Sequence, residues 1–303
     1  MNVADSEMIE GILQTKGYFP IESMDIADII FVNTCAIREH AEEKVHSRLG
    51  LFSTIKRNNP NVIIGVLGCM AQHLKDEILD SKPYVDIILG PDSYRRLPQL
   101  LERKIDDKKN IVDTQLSRYE VYDNFFPSRK EGINAWVSIM RGCDKFCTFC
   151  IVPFTRGRER SRTVNNIVDE VKKAVDEGFV EITLLGQNVN SYKFKNHTFD
   201  YLLKKVADIN GVERLRYTSP HPQDMTDDVL YVMSHYDNIC NAVHFPLQAG
   251  SSRILKRMNR TYTKSHFIER AHRIRKILPN CGLSTDIIAV SYTHLTLPTN
   301  REV

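Results

Sequence analysis

Short apolar, β-branched runs alternate with amphipathic helical stretches along nearly the whole of this 303-residue chain, and they do so in two blocks. In the first, Asp28 to Thr34, Asn61 to Gly68 and Val85 to Gly90 alternate with helical patterns at about 4 to 17, 36 to 57 and 71 to 80. In the second, the candidate strands are Ala135 to Met140, Glu181 to Gly186, Arg214 to Ser219, Ala242 to Leu247 and Leu283 to Ala289, each after the first preceded by a helical stretch. A strand that returns through a helix to another strand pairs with it in parallel. The expected fold is therefore α/β, with an N-terminal doubly wound parallel-sheet domain over 1–108 and an incomplete (β/α) barrel over 131–289. Residues 109–130 are polar and without period, and are expected to be a linker. Ligands in both architectures gather at the carboxyl ends of strands, so the residues that follow each strand are where function is expected.

After the first strand of the second block comes Arg141-Gly142-Cys143-Asp144-Lys145-Phe146-Cys147-Thr148-Phe149-Cys150. On a continuous helix the outer two sulfurs of this C-x3-C-x2-C triplet would lie about 10 Å apart along the axis, too far for one small centre. A loop wrapped around a metal is expected instead. Zinc asks for a fourth protein ligand at short spacing, and the next histidine downstream is His197. Three thiols without a fourth ligand fit an iron-sulfur cluster with one open iron. A zinc knuckle and unrelated core thiols are the alternatives. In the first block Cys35 and Cys69 directly follow the first and second strands, so both are expected at one edge of the sheet, either as metal ligands or as two small buried residues.

Composition narrows the class without choosing the chemistry. With 42% hydrophobic and 26% charged residues the chain is an ordinary globular one, and its net charge of +3 is too small to name a partner. It contains no run of about 18 apolar residues, and Met1 to Glu7 lack the regions of a signal peptide. Seven clustered cysteines suit a reducing compartment better than a disulfide framework. No membrane association and a cytoplasmic location are expected.

The triplet with Phe149 before its last cysteine resembles the signature of the radical S-adenosylmethionine (SAM) enzymes, and the two blocks together resemble their methylthiotransferase family over about residues 1 to 288. The runs that carry the likeness are Asn33 to Glu39, Gly90 to Pro98, Phe146 to Arg158 and Gln187-Asn188-Val189-Asn190. They fit the branch acting on N6-dimethylallyladenosine beside the tRNA anticodon; sister branches act on threonylcarbamoyladenosine in tRNA or on ribosomal protein S12. The resemblance implies a radical SAM [4Fe-4S] cluster on Cys143, Cys147 and Cys150, the catalytic cysteines. It also implies an auxiliary [4Fe-4S] cluster on Cys35, Cys69 and a third cysteine upstream of a segment like Met1 to Glu7, which this chain lacks. Phe149, Gly186, Gln187, Ser219 and Gln248 match SAM-facing positions. SAM is the implied cofactor, tRNA the substrate, a flavodoxin or ferredoxin the electron donor, and a monomer the expected state.

Arginine occupies every second position in Arg156-Gly157-Arg158-Glu159-Arg160-Ser161-Arg162, so an extended segment would present all four on one side. Arg156 is accordingly a candidate for SAM or the RNA backbone, against the alternative of a solvated charged segment. The basic stretch Lys256, Arg257, Arg260, Lys264, Arg270, Arg273, Arg275 and Lys276 is expected to be a solvated helical face. Helix 4 to 17 opens the chain where a strand should precede it, and residues 290–303 follow no periodic or family pattern. The chain is therefore expected to be a fragment with a non-native tail, and a catalytically inactive iron-sulfur or zinc RNA-binding fragment is the competing functional class.

Overall fold

The computed structural model describes residues 1–35, 39–130 and 132–289. The Ala36-Ile37-Arg38 run and the 290–303 tail lie outside the described residues. The first part of the chain runs through α1 (Asn2–Gln14), β1 (Ile29–Thr34), α2 (Glu39–Asn58), β2 (Ile63–Gly68), α3 (Cys69–His73), α4 (Lys75–Ser81), β3 (Ile87–Leu89), α5 (Leu97–Asp107) and β4 (Ile111–Asp113). Its strands lie in the order β1-β2-β3-β4, all parallel. β2 sends Ile64 and Val66 to a face covered by Val45, Leu49 and Phe52 of α2 and Ile78 of α4. Ile63 and Leu67 go to the opposite face, against Met8, Ile9 and Ile12 of α1 and Leu97, Leu100 and Leu101 of α5. Burial on both faces is why this strand is a continuous apolar run in the sequence.

Residues 109–130, expected as linker, supply β4 and then a strap along the domain boundary. The strap lacks apolar period because it is held by polar contacts. Tyr122 is 3% exposed; its hydroxyl donates to the Pro91 carbonyl at 2.8 Å and accepts from the Tyr94 amide at 3.0 Å. The Ser117 amide donates to Asp92 at 2.9 Å, and the Ser128 amide to the Glu7 carbonyl at 2.8 Å.

The second part continues through β5 (Asn134–Ser138), β6 (Met140–Arg141), α6 (Val152–Thr155), β7 (Arg160–Ser161), α7 (Val164–Asp176), β8 (Glu181–Leu185), β9 (Lys193–Phe194), β10 (His197–Thr198), α8 (Phe199–Ala207), β11 (Arg214–Tyr217), α9 (Asp227–His235), β12 (Ala242–His244), α10 (Ser252–Arg257), α11 (Lys264–Ile277) and β13 (Gly282–Ser284). β5, β8 and β11 pair in parallel, as do β12 and β13. A parallel bridge from Leu215 to Ile239 joins the two pieces into one arc of barrel strands. Threonine hydroxyls cap the starts of α7, α9 and α11 by accepting from the amides of Asn166, Val229 and His266, which fixes where each helix leaves its loop. Ala135, Val137, Ile182, Leu184 and Leu215 pack outward against these helices. Trp136, Thr183, Arg216 and Thr218 alternate with them on the other face, lining a cavity of about 310 Å³. No helix among the described residues is long and apolar enough to cross a membrane.

Candidate metal centre

The cysteine loop begins where β6 and β7 form a short antiparallel ribbon pairing Met140 with Ser161 and Arg141 with Arg160. Gly142 turns the chain out of that ribbon with φ +77°. A Cβ there would sit 2.1 Å from the Arg158 carbonyl oxygen, so only glycine fits. The Cys143 amide donates to the Gly157 carbonyl at 3.1 Å and the Cys150 amide to the Cys147 carbonyl at 3.0 Å. The segment 258–260 holds the loop from the other side: the Thr148 amide donates to the Met258 carbonyl at 3.1 Å, and the Asn259 side-chain amide to the Phe146 carbonyl at 2.8 Å. The triplet is thus a loop, as the spacing argument required.

Cys143 and Cys147 are buried and Cys150 is half-buried. Burial pushes the Cys143 thiol up to about 12 and raises Cys150 as well, so both keep their protons until a cation displaces them. Arg260 donates to the Cys147 sulfur at 3.3 Å. Among the described residues no three His, Cys, Asp or Glu side chains converge as ligands of a single ion. A mononuclear zinc site is therefore not pre-formed. A cluster takes one thiolate on each of three irons, a donor set that Cys143, Cys147 and Cys150 supply.

Around this loop stand the residues expected to face SAM. Phe149 is half-buried against the small apolar group of Ala249, Ile254, Leu255, Met258 and Tyr262, which joins the cysteine loop to the turn after β12. Gln248 in that turn has φ +71°, and Ser219 after β11 has φ +58°. Backbone of that kind is uncommon away from glycine and collects at functional sites. Gly186 is fixed by packing: a Cβ would lie 2.8 Å from the Met140 side chain and 3.1 Å from Val189 Cα.

The polar groups of this rim are incompletely paired. Both amide atoms of Gln187, Oδ1 of Asn188 and Nε2 of His221 are buried without a hydrogen-bond partner. They lie on two adjacent loops, where polar atoms of a ligand would pair with them. His221 was not singled out in the sequence beyond its loop. Its amide and carbonyl are clamped by the Asn190 side chain at 2.7 and 3.0 Å, and its Nδ1 accepts from the Gln223 amide at 3.3 Å. Nε2 therefore carries the proton. Burial, reinforced by the charges of Arg260 and Lys145, pushes the imidazole down to about 2, so the ring is neutral.

Arg156, expected at the SAM-facing rim, is placed elsewhere. It is 4% exposed, and donates to Asp5 at 2.6 Å and to the Cys69 sulfur at 3.2 Å. Arg160 is held by Asp92 at 2.9 Å and by the carbonyls of Ser117 and Glu120. Arg162 is held by Glu170 at 2.6 Å and by the Ser138 carbonyl. Only Arg158 of the row stays exposed, paired with Asp144 at 2.7 Å. Three of the four arginines are therefore neither an anion clamp nor a solvated face; the β7 ribbon turns them into the protein, where carboxylates from other segments meet them. The basic stretch at 256–276 is likewise not wholly solvated: Arg260 touches Cys147, and Arg270 and Arg273 bind Asp227 at 2.8 and 2.7 Å.

Cys35 and Cys69 do leave the first sheet side by side, because β1 and β2 pair Thr34 with Gly68 in register. Gly68 has φ +100°, and a Cβ on it would meet the Thr34 carbonyl oxygen at 2.5 Å. Asn33 secures the same edge to α1, donating to the Asn2 carbonyl and the Ser6 hydroxyl at 2.9 Å each. α3, which begins at Cys69, packs on α6, which follows the cysteine loop, so the two thiol-bearing regions face each other across the domain boundary. Asp5 and Arg141 carry no sequence signal for this role. Asp5 binds Arg141 at 2.5 Å as well as Arg156. Burial alone would raise its pKa, but the two guanidinium charges outweigh that and hold the carboxyl at about 2.

The Radical SAM superfamily matches residues 137–294, and Uncharacterized protein family UPF0004 matches residues 1–90. The chain is 49% identical over 296 residues to the tRNA-2-methylthio-N(6)-dimethylallyladenosine synthase of Phocaeicola vulgatus. It is 47% identical over 307 residues to the synthase of that name in Amoebophilus asiaticus. Each match covers 95% of this chain but 64% and 63% of the relative, so the chain spans a little under two thirds of their length. Among solved structures, the radical SAM methyltransferase TsrM from Kitasatospora setae, with tryptophan and a SAM analogue bound, has a TM-score of 0.66 at 12% identity, covering 95% of this chain and 64% of that one. The cobalamin-dependent SAM radical enzyme OxsB has a TM-score of 0.66 at 14% identity, covering 94% and 46%. At these identities the likeness is one of fold.

Proposed function

The chain belongs to the radical SAM superfamily, and from that premise we propose that it serves a tRNA methylthiotransferase acting at C2 of N6-dimethylallyladenosine beside the anticodon. The observation that carries the reading is the 49% identity to a synthase of that reaction across both blocks, cysteine loop included. When bound, a [4Fe-4S] cluster with SAM supplies the one-electron chemistry that an aromatic C-H bond needs and that acid-base groups cannot provide.

The chain's own residues do the positioning. Cys143, Cys147 and Cys150 would hold the cluster, with the Arg260 N-H on the Cys147 sulfur to steady its negative charge. Gln187, Asn188 and the His221 Nε2-H offer two acceptors and two donor groups at the barrel mouth to polar atoms of SAM or of the purine. Neutral at ordinary pH, His221 donates without contributing charge. Cys35 and Cys69 supply two thiols to a second, sulfur-supplying site, and Arg156 fixes Cys69 in direction. A flavodoxin or ferredoxin as electron donor, a monomeric state and a cytoplasmic setting complete the proposal.

Anaerobic reconstitution with iron and sulfide, followed by incubation with SAM, reductant and tRNAs that carry N6-dimethylallyladenosine or threonylcarbamoyladenosine without a methylthio group, tests it. The expected result is 5′-deoxyadenosine, with methylthiolated dimethylallyladenosine as the one methylthio product in the nucleoside digest and only at a low level, because Cys35 and Cys69 give the second site two thiols. Zinc without iron, or SAM cleavage with methylthiolated threonylcarbamoyladenosine in the digest, would overturn it.

A further inference from the structure

The cysteine loop carries two aromatic rings that none of the roles above uses. Phe146, between Cys143 and Cys147, is 37% exposed, and Phe154 on α6 is 65% exposed. Their rings meet edge to face with centroids 6.5 Å apart. The guanidinium of Arg158 lies over the Phe146 ring at 5.0 Å. Phe146 has φ +47°, with its carbonyl tied down by Asn259, so the loop holds its ring outside in a conformation few side-chain-bearing residues adopt.

Arg158 stays largely exposed beside Asp144, whereas Lys145 on the same loop is paired with Asp224 at 2.8 Å. Lys256 and Arg257, both exposed, end α10, which is pinned to the loop where the Thr148 amide and hydroxyl reach the carbonyls of Met258 and Arg257. One exposed phenylalanine is ordinary. Two in mutual contact, with an exposed guanidinium stacked on one, form a combination suited to single-stranded nucleic acid: flat faces for bases and positive charge for a phosphate.

We propose that Phe154, Phe146 and Arg158 form a stacking platform for an unpaired RNA base that neighbours the base delivered to the cysteine loop. The inference rests on the tRNA reading and adds how a loop nucleotide is held open beside the reactive centre. Stacking on a ring requires an unstacked base, so the platform favours loops over duplex and leaves base identity unread.

The test uses the full chain and an anticodon stem-loop carrying 2-aminopurine beside the target adenosine. Anisotropy reads affinity and 2-aminopurine emission reads stacking. Phe154→Ala is expected to weaken stem-loop binding about tenfold or more and to restore emission, with Phe154→Trp recovering both and a duplex RNA unaffected. Unchanged melting of Phe154→Ala would confirm that the fold is intact, as its exposure requires. If wild type binds the stem-loop and Phe154→Ala matches it, the platform is wrong and the tRNA reading stands. If wild type binds no stem-loop, that reading falls and the platform with it. Loss of flavodoxin binding in Phe154→Ala, with RNA affinity intact, would assign the surface to a protein partner and overturn the proposal.

Discussion

Two edges of the molecule place cysteine directly after a left-handed glycine that a neighbouring carbonyl oxygen forbids any side chain to replace: Gly142 before Cys143 and Gly68 before Cys69. Beyond that shared device they differ. The barrel edge carries its three thiols on one continuous loop; unpaired buried polar atoms lie near both edges, those of Gln187, Asn188 and His221 at this one and those of Asn33 and Arg156 at the other. The sheet edge assembles its thiols from two strands and closes over Cys69 with Arg156, itself held by a carboxylate 151 residues away in sequence. The first is built to receive a ligand, whereas the second is also a joint between domains. Removing a side chain should therefore cost chemistry at one edge and stability at the other.

The sharpest way to break that contrast is by cysteine. Cys147→Ala is expected to abolish SAM cleavage and the iron bound at the barrel loop, because two thiols do not hold a cluster whose fourth iron must stay open. Cys69→Ala should leave SAM cleavage in place. Iron counting and 5′-deoxyadenosine formation after anaerobic reconstitution check both, and equal losses would mean the two edges act as one site.

Next in size is the joint. Asp5→Ala leaves the Arg141 and Arg156 charges buried without their carboxylate, and is expected to lower unfolding free energy by about 3–5 kcal/mol in urea titrations. Asp92→Ala should cost less. Burial raises the Asp92 carboxyl and lowers the Arg160 guanidinium despite their 2.9 Å contact, so in this pair desolvation outweighs attraction. The carboxyl shared by two arginines is held below its ordinary value, whereas the one paired with Arg160 is pushed above it. If Asp92→Ala proves the more damaging, the ranking of the two joints is reversed.

Glycine gives a smaller effect and a built-in control. Gly142→Ala combines φ +77° with a 2.1 Å clash against backbone, while Gly178→Ala, at φ +95°, meets nothing within 4 Å. About 1 kcal/mol is expected at Gly178 from conformation alone, and more at Gly142, where the cysteine loop must also shift. Melting temperatures together with iron uptake separate the two.

These contrasts also explain what was legible beforehand. The strands and the doubly wound sheet were visible because burial on two faces writes an unbroken apolar run, as in β2. The thiol loop was visible because its residues are local. The strap was not seen, since Ser117, Glu120 and Tyr122 are held by hydrogen bonds that leave no period in sequence, whereas α5 was missed although Leu97, Leu100 and Leu101 recur at helical spacing. The alternating arginines misled for a related reason. Spacing in an extended segment says that side chains share a side, but not whether that side meets solvent or the carboxylates of Asp5, Asp92 and Glu170. His221 was hidden in the same way, because its role depends on Asn190 and Gln223 closing every other option of its backbone and ring.

A slope against pH separates the edges most cleanly. His221 is neutral when folded, down to about pH 2, whereas an unfolded imidazole takes a proton near its ordinary value of about 6.5. The unfolded state therefore binds more protons below about pH 6.5, and stability must fall as pH drops from there, by at most about 1.4 kcal/mol per pH unit for this one group. Asp5 titrates at about 2 when folded and near 3.9 when unfolded, so its contribution is complete above about pH 4 and is lost between about 4 and 2. Half-buried Glu7 and Glu159, whose carboxyls are raised by desolvation, take protons first in the folded state and flatten the total. Differences between variants cancel that background. His221→Gln should remove slope between about pH 6.5 and 4 and leave the acid limb, while Asp5→Asn, less stable throughout, should remove slope only below about pH 4. A wild-type slope between pH 6.5 and 4 that persists in His221→Gln would show that the barrel-edge imidazole is not held neutral, and that this edge is less closed around His221 than its hydrogen bonds imply.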